Sequence, residues 1–158
     1  MKNMIEKLAA MPERVRALVD GVCETELSRK LAPDVFSLRE NVLHLRDIDV
    51  EGYEKRIVRI LTEDNPFLPD VDGAKLAEER DYNNQPLLPA LEAFAQSRAR
   101  SIDRLAGADL ERVGEMEGVG AVTLARLLQL WAAHDAGHLA DIKALLAGRL
   151  GRTTATAA

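Results

Sequence analysis

The sequence predicts an all-α protein, a bundle of four long helices, and three observations carry that expectation. The 158 residues are rich in Leu, Ala, Glu and Arg, which enter a helix at little conformational cost. Apolar residues recur three and four positions apart over long stretches, and alternating β-branched runs are missing. Pro and Gly mostly gather between those stretches. With 47% hydrophobic residues the chain can fill one core, so a single domain is expected over 1–150. A flexible Thr/Ala-rich tail is expected at 151–158.

The first helix should run from Asn3 to Val22, bent where Pro12 removes a backbone donor. A short helical turn follows from Thr25 to Leu31 and stops at Pro33. The second helix starts at Ser37, where Ser37-Leu38-Arg39-Glu40 has the capping-box pattern and Phe36 stands as the staple residue. It continues to about Leu61. Leu38, Val42 and Leu45 share one face, but the stripe drifts further along. Pro66, Pro69 and several Asp residues make 65–81 a loop. The third helix covers Pro86 to Leu105 and ends near Gly107. Gly114, Gly118 and Gly120 mark a tight, hairpin-like turn. The fourth helix spans Val122 to Leu146, with Thr123 as cap and Gly148 and Gly151 as its end. Leu127, Trp131, His134, His138, Ile142 and Leu145 form one continuous stripe on it.

Charge and cysteine content exclude several classes. The net charge of −5 shows no basic excess for phosphates, so nucleic acid is not an expected partner. The single cysteine, Cys23, cannot close an intramolecular disulfide, which suits the cytoplasm; it reads as a small buried residue. No run of about 18 apolar residues could cross a membrane. The first residues, with Glu6 among them, read as a helix rather than a signal peptide.

The chain has only three histidines: His44, His134 and His138. Taken singly, each would be read as a buried ring satisfied by local hydrogen bonds. His134 and His138 differ because they lie four apart in the fourth helix, so they project from one side, one turn apart, as a chelating pair does. They also interrupt an apolar stripe, so they face inward. His44 lies beside the stripe of the second helix, and facing helices of a bundle supply inward metal ligands. The three together point to a metal site. Asp47, Glu40 and Asp141, three or four residues from these histidines, are candidates to orient them, although each also reads as surface charge.

Other readings are weaker. A zincin protease needs His-Glu-x-x-His with Glu as general base. Here the stretch is His134-Asp135-Ala136-Gly137-His138, and no later histidine follows. Asp135 is expected on the helix flank. Gly137 is expected to admit a close neighbouring helix, and Trp131 to lie in the core. Gly118-Val119-Gly120 is too short for a dinucleotide fingerprint.

An ordered set of segments resembles the DinB/YfiT-like superfamily, the damage-inducible family rather than the similarly named polymerase. The set comprises Phe36 through Asp47, Pro66-Phe67, Asp81-Tyr82-Asn83, Phe94 with Arg98, Gly120 through Leu124, and Trp131 through Leu139. The resemblance covers almost the whole chain. One departure is Phe36, where many relatives carry Trp. The resemblance implies a four-helix bundle with up-down-down-up connectivity and a long second connection. It implies a divalent metal, zinc or nickel, held by His44, His134 and His138. It further implies a homodimer. Some members are thiol-dependent S-transferases or isomerases working with low-molecular-weight bacterial thiols.

Three neutral imidazoles leave the ion its full charge and open positions. Such a site can activate water or deliver a thiolate to an electrophile. The expected function is therefore a metal-dependent enzyme acting on a small molecule, with thiol S-transfer preferred. A metal-dependent hydrolase and a non-catalytic stress-response module are the alternatives.

Overall fold

The computed structural model describes the backbone of residues 1–155 and the side chains of 1–148. The first long helix is split into α1 (Lys2–Ala9) and α2 (Met11–Val19). Pro12 sits in the first turn of α2, where its missing N–H does no harm. It cannot donate to Leu8, four residues back, and the Leu8 carbonyl instead accepts from Arg98 Nη1 at 2.7 Å. The bend thus ties the first helix to the third. α3 (Glu24–Leu27) follows, shorter than expected.

α4 (Leu38–Asp47) opens with the full capping box. The Glu40 N–H donates to Ser37 Oγ at 3.1 Å, and the Ser37 N–H donates to the Glu40 carboxylate at 2.7 Å. The helix then widens into a π-helical segment, Ile48–Tyr53, before α5 (Glu54–Thr62). A wider turn rotates the faces of the helix. That rotation is why the apolar stripe drifts, and it places Asp49 inside the bundle.

The long second connection corrects the loop expectation for 65–81. It contains β1 (Phe67–Leu68) and α6 (Gly73–Glu79). Asp72 caps α6 by accepting from the Lys75 N–H at 2.9 Å. Two turns are too short to reveal a helical period in sequence. A 3₁₀ turn (Tyr82–Asn84) leads to α7 (Leu87–Arg104), close to the expected bounds.

The glycine-marked turn forms as a hairpin of β2 (Val113–Met116) and β3 (Gly120–Thr123), with Met116 opposite Gly120. Gly118 adopts φ +74° between them, where a side chain would be strained. β1 joins β2 in parallel. This small sheet corrects the strand-free reading; its strands are too short to show alternation. α8 (Leu124–Ala155) begins where the Arg126 N–H donates to Thr123 Oγ1 at 3.1 Å. It runs through Gly148 and Gly151, so neither ends it. Residues 156–158 of the expected tail lie outside the described residues.

The long helices form the expected four-helix bundle around two apolar clusters. One gathers Val15, Val42, Leu43, Phe94 and Ile142. The other gathers Ile57, Ile60, Leu124, Leu127 and Trp131. His134 and His138 fall on α8 between Trp131 of one cluster and Ile142 of the other. Among the described residues no helix is long and apolar enough to cross a membrane.

Candidate metal centre

The structure brings His44, His134 and His138 together. One ring nitrogen from each lies within 4.8 Å of the others, and among the described residues they form a group able to hold an ion. His44 comes from the last turn of α4 and is buried; the other two are half-buried on α8. His44 Nε2 and His134 Nε2 are 3.1 Å apart. Two imidazoles bound at about 2.0–2.1 Å around a tetrahedral ion stand roughly 3.3 Å apart, so this spacing needs little adjustment.

The third ring is aimed by a residue that sequence reasoning missed. His138 Nδ1 lies 2.9 Å from Asn41 Oδ1. Asn41 Nδ2 faces the Ser37 carbonyl at 2.9 Å and the Phe36 carbonyl at 3.5 Å. Only an NH₂ can satisfy that side, so Oδ1 is the acceptor and His138 Nδ1 carries the proton. Its Nε2 lone pair is left free for an ion. Asn41 sits one turn before His44 and five residues after Phe36, but nothing in its spacing distinguishes it from a polar surface residue. None of the carboxylates expected in this role is hydrogen-bonded to a histidine, and two of the three are engaged elsewhere. Asp47 accepts from the Tyr82 hydroxyl at 2.6 Å and pairs with Arg46 and Arg80. Glu40 closes the capping box and pairs with Lys30. Asp141 is exposed and makes no hydrogen bond to His138 among the described residues.

Gly73 was also missed. A Cβ built there would stand 2.3 Å from His44 Cε1 and 2.7 Å from its Nδ1. Only glycine lets α6 close over the ring. Phe36 covers another side of His44, with ring centroids 5.3 Å apart. Burial first, then the two neighbouring rings, holds the His44 pKa down at about 3. Burial and then His134 hold His138 down at about 4. Both rings are neutral at pH 7, the form that binds metal. The Nδ1 atoms of His44 and His134 are buried without hydrogen-bond partners. The spacing, the aimed lone pair and the neutral donors fit a divalent ion of borderline softness.

Directly behind the trio lies a charged cluster. Arg98 uses all five N–H groups: two to Asp49, two to Asp135 and one to the Leu8 carbonyl, at 2.7–3.1 Å. Trp131 Nε1 donates to Asp49 at 2.9 Å. Asp135 is therefore buried in an ion pair, which corrects its placement on the helix flank and removes it as a protease-type base. Trp131 is fully buried, as expected. Two further corrections concern small residues. Gly137 has nothing within 4 Å of a built Cβ, so among the described residues no helix packs against it. Cys23 is exposed rather than buried, because it precedes α3 at the surface.

A groove of about 520 Å³ is lined by Phe36 and Asn41, which touch His44 and His138, and by Ala74 and Asp141 among others. A hollow of about 600 Å³ near Arg16 and Arg39 is larger, but it is lined by neither Phe36 nor Asn41; none of the three histidines lines either opening.

Fold and site together define a helical bundle carrying three convergent histidines. The chain belongs to the DinB superfamily, whose family model matches residues 7–142. It is 26% identical over 145 residues to a predicted metal-dependent hydrolase of Halalkalibacterium halodurans, covering 90% of this chain and 84% of that one. It is 28% identical over 149 residues to another predicted metal-dependent hydrolase, from Geobacillus thermodenitrificans, covering 92% and 83%. Its fold matches YfiT from Bacillus subtilis with a TM-score of 0.86 and 21% identity, over 95% of this chain and 87% of that one. YfiT is inferred to be a metal-dependent hydrolase and has an unusual four-helix bundle topology.

Proposed function

We propose that His44, His134 and His138 hold a divalent ion, zinc or nickel, and that the protein is a metal-dependent hydrolase of a small molecule. One observation carries the reading: three imidazoles converge beside an open groove, with His138 aimed by Asn41. The relatives described as hydrolases support water rather than a thiol as the second reactant. When bound, an ion with three neutral ligands keeps its full charge and open positions, which polarises a carbonyl and activates water. The chain's own residues do the rest. Asn41 fixes the tautomer of His138, Gly73 admits His44, and Phe36 shields its ring. Water and an ester or amide then give a carboxylic acid and an alcohol or amine. A reducing cytoplasm and a homodimer belong to the same proposal; the first suits the single exposed thiol of Cys23, the second rests on the family.

The test is metal analysis of untagged protein, followed by ester and amide hydrolysis with and without chelator. One ion per chain and chelator-sensitive hydrolysis lost in His138→Ala are expected. A parallel arm supplies a low-molecular-weight thiol with an electrophile. Metal-dependent thiol consumption without hydrolysis would put S-transfer in its place. Equal rates in wild type and variant across both arms would leave a non-catalytic metal-binding module.

A further inference from the structure

The groove beside the trio has a composition that selects among small molecules. Its walls include Leu31, Val35, Phe36 and Leu145, and its polar groups are Asn41, Asp34 and Asp141. Leu31 and Val35 are 52% and 41% exposed, an apolar pair that the fold leaves open to solvent. No Lys, Arg or His lines the groove. Asp34 and Asp141 enter no ion pair or hydrogen bond among the described residues. Asp141 follows His138 by three positions on α8, so one carboxylate stands one turn from the trio, and Asp34, from the segment before α4, lines the same groove. A second hollow of about 530 Å³ shares Asp34, Phe36 and Ala74 and adds Glu78 and Asp81. Its one cation, Lys30, is already bonded to Glu40. Among the side chains that line the groove and the hollow, carboxylates outnumber cations, which on the side of the groove away from the trio draws cations and repels anions.

We propose that the substrate is an apolar molecule bearing a cationic nitrogen, its body against Leu31, Val35, Phe36 and Leu145 and its cation between Asp34 and Asp141. The inference rests on the metal-centre reading for what happens to that substrate, but the groove's selectivity is a property of its own residues. An anionic thiol would meet two carboxylates at the same place. A volume of about 520 Å³ falls in the range of small-molecule sites.

Three eight-carbon probes test it on the full chain: octylammonium, octanol and octanoate, all below their aggregation concentrations. Binding is read by amide chemical shifts, with and without added Zn²⁺. Octylammonium should bind about tenfold more tightly than octanoate at low salt and shift signals at Leu31, Val35 and Ala144; attraction of one probe and repulsion of the other by exposed carboxylates together make roughly that factor. Asp34→Asn/Asp141→Asn should abolish the preference and leave octanol binding unchanged. Both positions are exposed, so the variant keeps the fold. Octanoate binding as tightly as octylammonium, or the same preference in the double variant, would overturn the inference. The arms separate the two proposals. Ammonium selectivity in a chain that takes up no metal sinks the metal-centre reading alone. Metal uptake without ammonium selectivity sinks the substrate inference alone.

Discussion

His134 and Asp135 are neighbours on α8, yet they belong to two regions built on opposite plans. Around Arg98, every donor has an acceptor: five N–H groups meet Asp49, Asp135 and Leu8, and Trp131 adds one more bond to Asp49. Around the histidines, His44 Nε2 and His134 Nε2 meet only each other at 3.1 Å, and only His138 is hydrogen-bonded to a residue outside the trio, Asn41. Satisfied polar networks in a core specify the fold, whereas ring nitrogens that converge with only each other for partners are what an ion completes. The lesson is that adjacent residues of one helix divide the work, one face setting how helices dock and the other staying available to an ion.

The largest expected effect comes from breaking the satisfied region. Arg98→Met strands two buried carboxylates, and unfolding in urea should show a loss of about 3–5 kcal/mol. A loss under about 1 kcal/mol would mean that Arg98 does not organise the bundle. Next is the open region. His134→Ala or His138→Ala should lower zinc uptake more than tenfold while circular dichroism is unchanged, because apolar packing holds the helices. Collapse on chelation would merge the two regions into one structural unit.

Smaller effects sharpen the contrast. Asn41→Ala frees the His138 ring, and Gly73→Ala drives a methyl into His44. Each should weaken zinc binding by about ten- to a hundredfold, the usual reach of residues that orient ligands. Zinc titration with a competing chelator reads this, and unaltered affinity in both would show that the rings position themselves.

The smallest effect is in the pH profile of the metal-free protein, where the regions titrate with opposite sign. His44 and His138 are held at about 3 and about 4, below the ordinary 6.5. The unfolded chain binds more protons below pH 6.5, so their stabilisation is complete above it and is lost as pH falls toward 4 and 3. Asp49 is pushed up to about 6 from 3.8, chiefly by burial. The native state binds more protons between those values, so this contribution is present below 3.8 and lost as pH rises through 6. Melting temperatures should fall less steeply on acidification in His138→Ala and more steeply in Asp49→Asn. Identical slopes in both variants would mean that neither region sets the acid limb.

Helical periodicity and the i, i+4 spacing of His134 and His138 were legible from residues alone, because both are local geometry within one element. The capping box at Ser37 and the bend at Pro12 were legible for the same reason. His44, 90 positions away in sequence from His134, entered as the one further histidine, beside the stripe of its own helix, and the resemblance implied it as a ligand. What only the tertiary structure decided were contacts between elements. The π-helical turn carries Asp49 inward to Arg98 and Trp131. The Pro12 bend frees a carbonyl that matters only once α7 packs against it. Asn41 is one polar residue among many until α8 brings His138 within 2.9 Å. Gly73 lies in a stretch that reads as loop, and its lack of a side chain has meaning only where α6 closes on His44. Periodicity reports which face of a helix is buried; it carries no information about which residue of another helix will meet that face, and partner choice is where this site is made.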